Sequence, residues 1–147
     1  MEVMQIDTTK SVMLLVVKPG FLNKVDEIVK EFTTESKKHR KWELVAQATK
    51  TLTLEEALEL YKINDCCTWY TDCCNYMSSG PSTALLFTND EDYTESTFWE
   101  SKEIVCEFRL KWHDNTWEYR KNGLHSADSM EELKMQLPVY FENIELI

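Results

Sequence analysis

Residues 12–17, VMLLVV, form a continuous apolar run rich in β-branched side chains that stops at Lys18-Pro19-Gly20, the pattern of a buried strand closed by a turn. Leu22, Val25, Ile28, Val29 and Phe32 then recur at the spacing of a helix with one apolar face. ESKKHRK (35–41) reads as a solvated connection. WELVAQAT (42–49) partly alternates, as a second strand should. Thr53-Leu54-Glu55-Glu56 has the form of a capping box opening a helix that turns Leu54, Ala57, Leu58 and Tyr61 inward. Residues 64–77 read as further helical turns before Gly80-Pro81, and STALLFT (82–88) as a buried strand.

The acidic stretch 89–103 fits a loop or a short helix, and EIVCEFRL (103–110) fits strand or helix. NTWEYR (115–120) alternates Trp117 and Tyr119 with polar neighbours, a strand pattern. NGLHSADSM (122–130) passes from a small-residue turn into a helix capped either by Ser129 with Glu132 or by Asp128 with Glu131. Its inner face is Met130, Leu133 and Leu137, and Pro138 ends or kinks it. Strands interleaved with helices predict an α+β fold: one sheet of about four strands with helices packed on it, most simply βαββαβ. The 147 residues suit one domain over 11–147, preceded by a flexible N-terminal segment over 1–10.

Acidic residues outnumber basic ones 26 to 16, a formal charge of -10, so the mean field repels nucleic acid and anionic membrane surfaces as partners. Small anions stay admissible, because local cations or a helix N-terminus override that field at short range. The amino terminus has no basic leader region, and residues 12–17 are too few for a signal core or a membrane span; a cytoplasmic location is expected. Five cysteines, an odd number, favour free thiols. Cys66-Cys67 and Cys73-Cys74 do not match common zinc spacings. Cys66 and Cys73 lie seven apart on one helical face, so small core residues are expected there and no metal site.

Three glycines cannot build a Walker loop or a dinucleotide fingerprint, so any phosphate must be held by side chains. Of the three histidines, His39 lies in the basic connection, His113 in WHDN, and His125 just before a predicted helix start. A lone histidine is more often structural than catalytic. His125 stands apart because neutral imidazole can form a covalent phosphoryl intermediate without a separate base.

Four segments carry a resemblance: VVKPG, LVAQATKTLTLEEALELY, YMSSGPSTALLF and KNGLHSADSMEELKMQLPVYF, in order across residues 11–141. With them the chain resembles the nucleoside diphosphate kinase family. The resemblance implies a ferredoxin-like βαββαβ core and ping-pong transfer, in which a nucleoside triphosphate phosphorylates a histidine that then phosphorylates a nucleoside diphosphate, with Mg2+ assisting. His125 would be the nucleophile. Lys18 would contact phosphate or the ribose hydroxyl, Asn122 the ribose and a bridging phosphate oxygen, and Tyr61 the phosphate end. Trp69 would stack on the base. Taken singly, each has an ordinary structural reading as a strand-end lysine, a turn residue or a core aromatic.

The family pattern N-x-x-H-G-S-D is altered here, with Ser126 and Ala127 after the histidine, and Gln136 stands where a glutamate normally orients the ring. The family draws two phosphate-clamping arginines from the region before the histidine strand. This chain has three arginines in all; the second family position falls near Trp112, and Arg109 or Lys111 would stand in for it after a small shift. Gly20 replaces the aspartate of K-P-D, and the loop for subunit contacts lacks its usual Gly and Pro, which puts the family trimer or hexamer in doubt while leaving some homo-oligomer open. Two functions fit: a nucleoside diphosphate kinase working through His125, or a kinase-fold module that binds nucleotide or partners without turnover.

Overall fold

The computed structural model describes residues 2–35, 40–111 and 123–147. Its centre is β2 (Lys10–Val17), which pairs antiparallel with β4 (Ser82–Asp92) on one side and β5 (Leu124–Ser126) on the other; β3 (Glu43–Lys50) adds antiparallel to β4. The order β3-β4-β2-β5, with helices in the crossovers, is the ferredoxin-like βαββαβ arrangement read from the sequence.

Because side chains alternate across a strand, β2 feeds two cores. Met13, Leu15 and Val17 point toward α1 (Val25–Thr33) and α4 (Glu95–Lys111), where they meet Ile28, Phe32, Ile104, Val105 and Phe108. Leu14 and Val16 point the other way, toward α2 (Leu54–Leu60), α3 (Tyr70–Met77) and α5 (Met130–Tyr140). An apolar run without alternation is what burial on both faces requires. Phe32 and Phe87 pack ring against ring, 5.6 Å between centroids, at the centre of the first core.

Local signals explain most element ends. The Thr53 hydroxyl accepts from the Glu56 amide and the Glu56 carboxylate accepts from the Thr53 amide, so the capping box is formed at both contacts. Of the two caps considered for α5, Ser129 is the one used: its hydroxyl accepts from the Glu132 amide at 3.1 Å. The Glu132 carboxylate reaches one residue further back, to the Asp128 amide at 2.6 Å. Pro138 does not end α5, which continues to Tyr140. So near the C-terminus its missing N–H forfeits one bond, and the next turn closes through Phe141 N–H to the Leu137 carbonyl at 3.1 Å.

Three segments differ from the sequence reading or extend it. The acidic stretch 89–103 is neither a loop nor a short helix: β4 runs to Asp92, and α4 occupies 95–111, absorbing EIVCEFRL. Over its described side chains, 99–111, the buried positions are Ser101, Ile104, Val105 and Phe108, a helical repeat masked by acidic neighbours. Cys66 is exposed rather than a core residue, because it precedes α3, whereas Cys73 and Cys74 are buried within it. Within the segment 1–10 read as flexible, β1 (Met4–Ile6) pairs parallel with β6 (Ile144–Leu146). The strand expected at 115–120 and most of the basic connection 35–41 lie outside the described residues. No helix among the described residues is long and apolar enough to cross a membrane.

Replacing Phe32 by Ala removes a fully buried ring from the β2–α1 core. Urea unfolding is expected to show a loss of about 3–5 kcal/mol relative to the parent chain.

Candidate active site

Among the described residues β5 is an edge strand of three residues, and its register sets the site. His125 lies opposite Val16, so the imidazole shares the α2–α3–α5 face with Val16, while Leu124 lies opposite Val17 and joins the other core. The sequence placed His125 beside the start of a helix. It sits instead in mid-strand, four residues before the Ser129 cap. Its ring is held from two sides: Nε2 lies 2.9 Å from Gln136 Oε1 on α5, and the Tyr61 ring meets it edge-on at 4.9 Å between centroids. An amide oxygen can only accept, so Nε2 carries the proton and Nδ1 keeps the lone pair.

His125 is 7% exposed. Burial pushes its pKa down to about 3; the Gln136 bond opposes the shift, and the charges of Lys18, Arg109 and Lys102 add to it. His125 is therefore neutral across the physiological range.

A cavity of about 410 Å³ opens over this ring, lined by Lys18, Tyr61, Trp69, Arg109, His125 and Glu132 among others. Lys18 enters it from the end of β2, where its N–H donates to the Gly123 carbonyl at 2.9 Å. The turn that follows contains Gly20 at φ 90°, in the left-handed region that favours glycine over the family's aspartate, and the Tyr76 hydroxyl donates to the Pro19 carbonyl at 2.7 Å. Burial lowers the Lys18 pKa to about 8, with Arg109 adding to the fall and Cys73 opposing it. The ammonium remains charged at neutral pH.

Tyr61 is the C-cap of α2, and its ring meets Trp69, the N-cap of α3, edge-on at 6.4 Å. The buried Tyr61 hydroxyl lies against the Cys73 thiol. Burial, reinforced by the neighbouring Cys73 thiol, pushes its ionisation well above the usual phenol range, so it stays a neutral donor.

Arg109 reaches back from α4, its Nε donating to the Leu124 carbonyl at 3.0 Å. Lys111 is not brought to the cavity. It pairs with Glu27 at 2.8 Å in a cleft between α1 and α4. Asn122 lies outside the described residues. The structure thus gathers His125, Gln136, Lys18, Tyr61, Trp69 and Arg109, and leaves Lys111 apart.

Lys102 was not singled out from the sequence. Its Nζ donates to Ser126 Oγ at 2.7 Å and forms an ion pair with Asp128. The available signal was its spacing of seven from Arg109, which places both cations on one helical face once 95–111 is known to be a helix.

The sequence profile described as Nucleoside diphosphate kinase matches residues 12–146. The chain belongs to the nucleoside diphosphate kinase family. Among curated relatives, a protein named nucleoside diphosphate kinase from Persephonella marina is 27% identical over 121 residues, a match spanning 72% of this chain and 77% of that protein. Among solved structures, the nucleoside diphosphate kinase of Aquifex aeolicus superposes with a TM-score of 0.69 at 22% identity, over 89% of this chain and 94% of that one. At that identity the superposition speaks for the fold. The family is one of phosphotransferases, and in this chain a neutral histidine shares one cavity with Lys18 and Arg109.

His125 has a folded-state pKa below its unfolded value of about 6.5, so unfolding takes up a proton at acidic pH. Its contribution is fully present above pH ~6.5 and is lost as pH falls toward the folded value. Urea titrations of the parent and of His125→Asn between pH 7 and pH 4.5 are expected to differ in slope by up to about 1.4 kcal/mol per pH unit, the parent falling faster.

Proposed function

We propose that the protein transfers the γ-phosphate of a nucleoside triphosphate to a nucleoside diphosphate through a phosphohistidine on His125. The observation that carries this reading is the fixed, neutral imidazole, with Nδ1 unprotonated, in a cavity that also holds Lys18 and Arg109.

In the first half-reaction the Nδ1 lone pair attacks the γ-phosphorus, a P–N bond forms, and the bond from phosphorus to the β–γ bridging oxygen breaks. The nucleoside diphosphate leaves with that electron pair. In the second, a terminal oxygen of the acceptor diphosphate attacks the same phosphorus and Nδ1 recovers its pair. No general base is needed in either step, because the attacking atom is already unprotonated. Lys18 and Arg109 offset the charge on the transferring oxygens. The Tyr61 hydroxyl donates to a phosphate oxygen, and Trp69, at the far end of the aromatic line through Tyr61, stacks on the base.

Asn122 contacts the ribose and a bridging oxygen in this reading. Mg2+ arrives as part of the nucleotide substrate. There it would offset phosphate charge, and the residues of this chain that face those phosphates are Lys18 and Arg109.

Gln136 favours a second reading, nucleotide binding without turnover. Phosphorylation at Nδ1 builds positive charge on the ring, and a neutral amide stabilises it less than a carboxylate does.

Incubation with γ-labelled ATP and Mg2+ is expected to give an acid-labile, base-stable phosphoprotein that a nucleoside diphosphate chases off, and His125→Ala is expected to give none. Folded protein without label rejects transfer and leaves the binding reading. Under transfer, Gln136→Glu should label roughly tenfold faster in rapid-quench measurements; an unchanged rate removes the amide as the limiting feature.

A further inference from the structure

The cavity over His125 has two acids in its wall, Asp128 and Glu132, of which Asp128 is the more exposed. The Asp128 side chain is 62% exposed, where the phosphates of the proposed substrate would pass. An unmasked carboxylate there opposes a polyanion. The structure also holds the group that answers it.

α4 sends two cations to β5, seven residues and two turns apart on one helical face. They fall on opposite sides of the nucleophile: Arg109 Nε donates to the Leu124 carbonyl at 3.0 Å, and Lys102 Nζ donates to Ser126 Oγ at 2.7 Å. The same Lys102 ammonium forms the ion pair with Asp128. Its side chain is only 14% exposed, so this pair is less screened than an ordinary surface pair. Lys102 does not itself line the His125 cavity. It sits in the small cleft across β5 with Ser11, Ser101 and Val105, its ammonium touches the cavity wall at Ser126 and Asp128, and its charge is also felt at His125 and Glu132.

We infer that Lys102 is a positioning residue that masks the Asp128 carboxylate and anchors Ser126, so that the His125 cavity admits a nucleotide polyphosphate despite the exposed acid in its wall. The inference rests on the proposed function for the ligand class alone, not for the transfer step. It accounts for how a chain with few arginines and a charge of -10 keeps a passable entrance for phosphate.

The test is calorimetric titration of ATP, and of adenosine as the uncharged control, at low ionic strength into the parent, Lys102→Met, Asp128→Asn and the double variant. Circular dichroism checks folding, and Lys102→Gln replaces the methionine variant if that does not fold. Lys102→Met is expected to weaken ATP roughly tenfold while leaving adenosine unchanged, and adding Asp128→Asn is expected to restore ATP affinity to within about twofold of the parent. Equal ATP affinity in parent and Lys102→Met overturns the inference. So does an ATP loss that Asp128→Asn fails to restore, or a parent that binds no ATP. Phosphohistidine labelling run in parallel separates the two proposals: the expected affinity pattern without label rejects transfer and keeps the masking, whereas label with unchanged affinity in Lys102→Met does the reverse.

Discussion

The register between β2 and β5 governs the candidate site. Only three residues of β5 pair, yet they decide which side of the sheet His125 faces, because a slip of one position turns every side chain of the strand over. Opposite Val16, the imidazole meets Gln136 and Tyr61; shifted by one, it would enter the α1–α4 core, where Leu124 now sits. Apolar alternation is too brief in Leu124-His125-Ser126 to define this by itself. The backbone bond from Lys18 to Gly123 and the two contacts from α4 supply what the short strand lacks.

Burial is what makes the histidine chemically distinct. Desolvation removes its proton, and the nearby cations that would draw phosphate act in the same direction. Lys18 experiences the same desolvation but starts from a much higher pKa, so it keeps its charge at neutral pH while His125 loses its own. One cavity thereby holds an uncharged imidazole beside a charged lysine, in a chain whose overall field is strongly negative. The short-range arrangement outweighs the mean.

The strands β2, β3 and β4 and the Thr53 cap were legible because each rests on local rules: an unbroken apolar run, alternation, and a side chain reciprocating its own backbone. The motif around His125 pointed to the residue but not to its strand, since three paired positions carry no period. α4 was obscured by acids on its solvent side, and with it went Lys102, whose importance depends on where a helix carries it. Arg109 and Lys111, two positions apart and equivalent by composition, end in different clefts because successive helical positions diverge around the axis. Gly20 was legible as a departure from the family, and its backbone angle supplies the reason.

The β1–β6 pair has a mechanical side. Because the two strands run parallel, a load applied at Glu2 and Ile147 pulls them along their length in opposite directions. The rungs between Met4 and Ile144, Gln5 and Glu145, and Ile6 and Leu146 then bear force together instead of opening one after another like a zip. The short ladder works as a shear clasp, so tension along the polypeptide meets resistance there before it reaches the sheet that carries His125.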